Sequence, residues 1–372
     1  MRIFRIAVLA SSLVVILAFT GLLLAGKGTQ QALYRALGNL AEVLHLVHEN
    51  YVDPVDLETL ERGYEGGFLE TIDPEAALLG ENEPPELGAI PPFGLVLGRR
   101  LGCAAVRRVL PGSPAAEAGI EAAEILERVD GEKTRTMPLW EVRRRLRRAE
   151  AAARTAELLV VDARAEARRA VTLKPAAWTV EPFTVESRDG VAVVTVAALA
   201  AGTADRLASA LRERGDEPVV LDIRNLVWGE EREALAVADL FAADGELGAW
   251  RGRRAGEKTF EASPPVVAGP PVTVIDRRTE AAGEILAGAL ARAGAVLVGE
   301  ETAGRAPHLG LVEENGLRMV LPIAFWLAPD GEPLDGVGVT PTEAVEPARE
   351  GDPMLDRAME IAREAHGGRK AA

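Results

Sequence analysis

The residues able to do chemistry are sparse in this chain. Thr279 stands just ahead of a run with helical periodicity and could serve as a hydroxyl nucleophile. The competing role is N-cap of a helix opening at Glu280, which Thr favours. His308 lies further on and could act as a base, although a lone loop histidine is more often simply exposed. His45 and His48 sit three apart on an expected helix with Glu42 and Glu49 nearby, a possible metal face. No fourth ligand stands out, so no metal and no cofactor is expected. Cys103 is alone, so no intrachain disulfide forms.

The elements that would position such groups follow from composition and pattern. At 372 residues, 48% hydrophobic and 27% charged, the chain is long enough for two compact domains. A formal charge of −15 argues against nucleic acid as a partner, because backbone phosphates need clustered cations. The arginine-dense stretch Arg143–Arg169 is interleaved with Glu150, Glu157, Asp162 and Glu166, and reads as a solvated helix face followed by a strand edge. Arg2 and Arg5 precede Ile6–Ala25, an uncharged run long enough to cross a bilayer at about 1.5 Å per residue. It ends Leu22-Leu23-Leu24-Ala25-Gly26, a poor cleavage site. An uncleaved single-pass membrane helix over 1–27 is expected, with the bulk of the chain on the periplasmic or extracytoplasmic side.

Residues 28–92 read as a helical segment and linker, with Leu33, Leu37, Leu40, Val43, Leu44 and Val47 on one helix face. Residues 93–176 read as a β-rich module. Its expected strands are Gly94–Leu97, Ala104–Val109, Ile125–Val129, Glu157–Val161 and Ala170–Leu173. A helix over Leu139–Ala149 and a hairpin turn at Asp130-Gly131 complete it. From Val180 strands and helices alternate: Val191–Val196, Gly202–Arg214, Val219–Ile223, Glu231–Ala242, Val272–Ile275, Glu280–Ala293 and Ala295–Val298. That spacing implies βαβ units and a mainly parallel sheet over 177–349. Leu317–Phe325 and Val337–Val339 add late strands, and 350–372 holds a terminal helix and tail.

Three groups of motifs now carry a resemblance. Tyr51-Val52-Asp53-Pro54-Val55-Asp56 with Ile72-Asp73-Pro74 forms one. The second is Pro111-Gly112-Ser113-Pro114-Ala115-Ala116-Glu117-Ala118-Gly119-Ile120 with Val129-Asp130-Gly131. The third is Glu284-Ile285-Leu286-Ala287-Gly288, Val298-Gly299-Glu300-Glu301-Thr302 and Asp335-Gly336-Val337-Gly338-Val339. In content and order these blocks resemble the carboxy-terminal-processing serine peptidases, the PDZ-containing tail-specific proteases. The resemblance implies an α/β architecture: a PDZ-like β-barrel module and a βαβ peptidase core similar to the ClpP/crotonase-like fold.

It also implies proteolysis by a serine nucleophile at a helix start, with a neutral lysine as general base. The family's serine falls where this chain has Ala281, in Ala281-Ala282-Gly283-Glu284-Ile285. Its lysine falls at Arg305, after Thr302-Ala303-Gly304, and an assisting glutamine falls at Leu309. Alanine has no attacking oxygen, and arginine stays protonated, so it cannot be a base. No serine occurs after Pro264, and the only lysine after Lys258 is Lys370. The oxyanion region maps onto Ala282, Trp228 and Gly229, where Trp228 replaces a small residue and is expected to crowd or plug the cleft.

The PDZ-like module is expected to bind C-terminal or unfolded polypeptide segments by strand addition along Gly94, Leu95, Val96 and Leu97, against an apolar pocket of Leu139, Val142 and Leu146. Together these features point to a membrane-anchored family member, catalytically inactive, that binds peptides or scaffolds an active relative. Two alternatives stand beside it: an active serine-type endopeptidase with a relocated nucleophile, and a protein that binds its partner through its surface alone.

Overall fold

The structure, a computed structural model, describes residues 31, 34–52, 63, 67–85, 87–162, 167–267 and 269–371. The chain divides into two compact units, Met1–Glu65 and Gly66–Ala372. In the first, residues 34–50 form the helix that the spacing of Leu37, Leu40, Val43, Leu44 and Val47 requires. His45 and His48 occupy exposed positions on it, and no group of His, Cys, Asp or Glu able to hold a metal ion occurs among the described residues.

The single-pass membrane placement expected from the amino-terminal run is corrected. Among the described residues no helix is long and apolar enough to cross a membrane. Ile6–Ala25, on which that expectation rested, lies outside the described residues.

After helical residues 67–72, the second unit continues with β1 (Ala77–Leu79), β2 (Leu95–Arg100), β3 (Cys103–Val109), α1 (Pro114–Glu117), β4 (Ile125–Val129), β5 (Glu132–Lys133), α2 (Leu139–Ala151), β6 (Ala156–Asp162) and β7 (Ala167–Leu173). Strands β2-β3-β4-β6-β7 form an antiparallel sheet, with β5 paired to β4. Asp130 and Gly131, with φ of 48° and 83°, turn the β4–β5 hairpin as an Asp-Gly pair should. Leu139, Val142, Leu146 and Ala149 recur at helical spacing on α2 and bury against Leu95, Leu97, Leu126, Leu158 and Val160. Gly94 is required just before β2: at φ 78° a Cβ would lie 2.1 Å from Cβ of Ser113.

The chain continues through β8 (Phe183–Arg188), β9 (Val191–Val196), α3 (Thr203–Arg212), β10 (Val219–Asp222), α4 (Glu231–Asp239), β11 (Glu246–Gly252), β12 (Gly256–Glu261) and β13 (Val272–Ile275). It ends with α5 (Ala282–Arg292), β14 (Val296–Gly299), β15 (Pro307–Glu314), β16 (Leu317–Trp326), β17 (Glu343–Ala344) and α6 (Pro353–Ala371). A second sheet runs β17-β14-β13-β10-β9-β8, parallel except where β8 joins β9. Period-two alternation explains its apolar runs. Val194 and Val196 pack with Leu207, Leu235 and Leu286 of α3–α5, while Val191 and Val193 pack with Met354, Leu355 and Met359 of α6.

A third, antiparallel sheet runs β1-β16-β11-β12, with β15 on β16. Most of it escapes the hydropathy pattern, because strands such as β12 expose nearly every side chain. The strand expected at Val337–Val339 is instead a turn, closed by the Val337 and Gly338 amides donating to the Leu334 carbonyl.

Candidate functional site

One cleft of about 470 Å³ is lined by β2 and β3, by α2, by the loop after β10, by the start of α5, and by the segment following β14. Ala281 lines it at the N-cap position of α5, with φ 50° and ψ −121°. A non-glycine residue in that region stores about 1–3 kcal/mol of strain and persists only where its surroundings hold it. Here they do. The Ala281 amide donates to the Arg305 carbonyl at 2.8 Å, the Glu280 amide to Leu226 at 3.0 Å, and the Ala303 amide to Thr279 at 3.0 Å.

Thr279 is not a helix cap. The helix begins at Ala282, no side chain caps it, and Thr279 is fully buried two residues before the N-cap position, Ala281. Its hydroxyl lies 3.1 Å from both the Ile223 carbonyl and Oδ1 of Asp276, and accepts from the Asp276 amide at 3.2 Å. The Asp276–Thr279 turn aims it inward, and it does not line the cleft. Among the described residues that do, there is no Ser, Thr, Tyr, Cys or Lys.

Arg305 lines the cleft beside Ala281, on a backbone fixed from both sides. Its carbonyl accepts from Ala281, and its amide donates to Oε2 of Glu284 at 2.6 Å. Glu284 is fully buried on the first turn of α5 and also accepts from the Gly304 amide at 2.6 Å and the Thr302 hydroxyl at 2.5 Å. Burial raises its carboxyl above the usual range, while these donors pull it back. The result is a rigid tether between the helix start and the Thr302–Arg305 loop.

Charged groups crowd this end of the cleft. Glu280 is 4% exposed, and its Oε2 lies 2.7 Å from a guanidinium nitrogen of Arg107 on β3. Arg107 reaches it across Gly98, where a Cβ would come within 2.6 Å of its side chain. Burial pushes the Glu280 carboxyl up to about 7 despite Arg107 and Arg305. Burial likewise raises Asp73 and Asp335, both of which feel Arg305. Arg107, Arg143, Arg144 and Arg232 of the lining are ion-paired to Glu280, Glu75, Glu83 and Glu230. Arg305 has no carboxylate within 4.0 Å among the described residues.

His308 is on strand β15 rather than in a loop. It is half-buried, with Nδ1 2.7 Å from Glu231 and its ring stacked 4.8 Å from that of Trp250. Leu309 follows it at a β-bulge and lines the cleft. Trp228 and Gly229 also line it. The Trp228 indole donates to the Ala89 carbonyl at 3.1 Å, which holds the ring against the wall and leaves the cleft open. At Gly229 a Cβ would meet Cβ of Leu199 at 2.4 Å, so the glycine serves close packing.

The expected peptide pocket needs correction. Leu139, Val142 and Leu146 are wholly buried in the core beneath β2 and do not line the cleft. Leu95 and Leu97 do line it, although they are at most 3% exposed, and Val96 between them is half-buried. The loop leading into β2 has committed its amides. Phe93 donates to Oε1 of Glu150 at 3.0 Å, Gly94 to the Pro91 carbonyl at 3.0 Å, and Leu95 to Pro92. Beyond β3, no strand among the described residues pairs with β2, so its outer edge is open to strand addition.

Glu280, Glu284, Arg107, Asp73 and Asp335 were not apparent from the sequence. A signal existed for the first two, acids four apart opening an otherwise apolar helix. Asp73 and Asp335 sit in the Ile72-Asp73-Pro74 and Asp335-Gly336 motifs, whereas nothing local marks Arg107; all three arrive from distant segments.

The chain matches peptidase family S41 over residues 190–345 and a PDZ domain over residues 106–160. It is 28% identical over 250 residues to a carboxyl-terminal-processing protease of Synechocystis, covering 64% of this chain and 58% of that protein. It is 30% identical over 247 residues to a carboxyl-terminal-processing protease of Picosynechococcus, covering 63% and 59%. The chain thus spans under two thirds of the length of either relative. Its fold is similar to that of a photosystem II D1 C-terminal processing protease, with a TM-score of 0.62 at 21% identity, covering 87% of this chain and 96% of that one.

Proposed function

We infer a role for this protein from the family to which it belongs, the PDZ-containing carboxyl-terminal-processing peptidases: it binds extended polypeptide segments in the cleft without cutting them. Residues 93–176 act as a PDZ-like barrel and residues 177–349 as a peptidase core of ClpP/crotonase-like type. The observation that carries this is the cleft lining. At the family's nucleophile position stands Ala281, at its base position Arg305, at its assisting position Leu309, and among the described lining residues no other hydroxyl, thiol or amine takes their place. Without an attacking oxygen no acyl-enzyme forms, and a permanent cation accepts no proton. In an unrelated serine peptidase, loss of the nucleophile alone lowers turnover about 2 × 10⁶-fold.

Binding has structural support of its own. The open edge of β2 offers backbone groups to an added strand, and Leu95, Val96 and Leu97 line the cleft it borders. Ligands are C-terminal or unfolded segments, with an active family member or its substrate as the natural partner. Purified chain incubated with an unfolded protein bearing an apolar carboxyl terminus tests both halves. The expected result is saturable binding without cleavage, weakened by Val96→Asp. Cleavage above background that survives purification and disappears in a Thr279→Ala variant would sink the proposal in favour of a relocated nucleophile.

A further inference from the structure

Where a bound segment would end follows from the distribution of charge in the cleft. Each of Arg107, Arg143, Arg144 and Arg232 already holds a carboxylate, whereas Arg305 holds none among the described residues. The loop before β2, where a terminal carboxylate would ordinarily be sought, has given its amides to Glu150, Pro91 and Pro92. Ala281 lines the cleft together with Arg305 and presents only a methyl group. Leu97, Ile285, Leu309 and Val320 supply apolar wall.

We propose, building on the peptide-binding role above, that the cleft captures the free α-carboxylate of a polypeptide's carboxyl terminus, with Arg305 as its anchor. The guanidinium is a planar fork that matches a carboxylate with two parallel hydrogen bonds. Its backbone is held by Glu284 and Ala281, so little order has to be created on binding. In effect the site holds the kind of end that cleavage would have produced, using a cation where the family carries a base.

The acids near Arg305 set a condition on this. Glu280 faces Arg107 from β3 and Arg305, with Glu75 and Glu284 also near it; Asp73 faces Glu75, Arg305 and Asp335. An arriving anion is repelled by whichever of them is ionised. Burial favours the protonated form of each, and for Glu280, lifted to about 7, protonation strengthens capture as pH falls through neutrality.

The test uses the full chain and a labelled unstructured peptide with an apolar last residue, prepared as free acid and as carboxyl-terminal amide. Anisotropy titrations are expected to show the amide binding about tenfold more weakly or worse. The Arg305→Gln variant is expected to bind both forms at the amide's level, which also reports that it is folded. Equal affinity of wild type for acid and amide overturns the anchor while leaving peptide binding intact. Retained discrimination in Arg305→Gln overturns it too. Absence of binding by either peptide would remove the peptide-binding role as well.

Discussion

Replacing Glu280 by Gln isolates the cost of keeping a carboxyl 4% exposed beside Ala281, with Arg107 2.7 Å away. Burial lifts this group from 4.5 to about 7, so the folded state holds its proton more tightly than the unfolded chain does. Between those values the folded state binds more protons, and stability falls as pH rises. At about 1.36 kcal/mol per pH unit, the gap is worth about 3 kcal/mol, lost in full above pH 7. The Glu280→Gln variant cannot ionise, so it does not suffer that loss. It does leave Arg107 without a carboxylate, an offset nearly independent of pH. Urea unfolding of both proteins, followed by tryptophan fluorescence at about pH 5 and about pH 8, separates the two effects. The variant's stability relative to wild type should improve by about 2.5 kcal/mol from the lower to the higher pH, because pH 5 already lies above the unfolded value. An unchanged difference, or a variant that fares worse at high pH, would mean that Glu280 is an ordinary ionised partner of Arg107 and refute the reasoning.

Glu284→Ala strips the acceptor from the Thr302 hydroxyl and the Gly304 and Arg305 amides, all inside the core. The expected loss in urea unfolding is about 3 kcal/mol or more, with Glu284→Gln milder; a loss under about 1 kcal/mol would show that the tether is dispensable. Gly94→Ala places a Cβ 2.1 Å from Cβ of Ser113, whereas Gly112→Ala at a similar φ of 70° meets nothing within 4 Å. The first should cost about 3 kcal/mol and the second about 1 kcal/mol, and equal losses would refute the packing argument.

The helices and buried strands were readable because their periodicities are imposed by burial. Val191–Val196 and Val272–Ile275 stand where the apolar runs put them, since both faces of that sheet are covered. Of the third sheet, β16 was readable as the expected Leu317–Phe325, whereas β12, exposed along nearly all its length, and β15, ending in exposed Glu313 and Glu314, look like loop. The peptide pocket was misjudged for a related reason. The spacing of Leu139, Val142 and Leu146 marks an inward face, and it does not say whether that face meets a groove or a closed core.

At the cleft, amino-acid identity alone fixes the local chemistry: the Ala281 side chain carries no oxygen and the Arg305 guanidinium accepts no proton, whatever surrounds them. Everything that depends on convergence was decided by folding. Arg107, Asp73 and Asp335 come to the neighbourhood of Glu280 and Arg305 from segments far apart in the chain; burial shifts the carboxyls, and among the described residues Arg305 has no ion-pair partner. Chemistry within a side chain is local, but the field and solvent it experiences are properties of the packed whole.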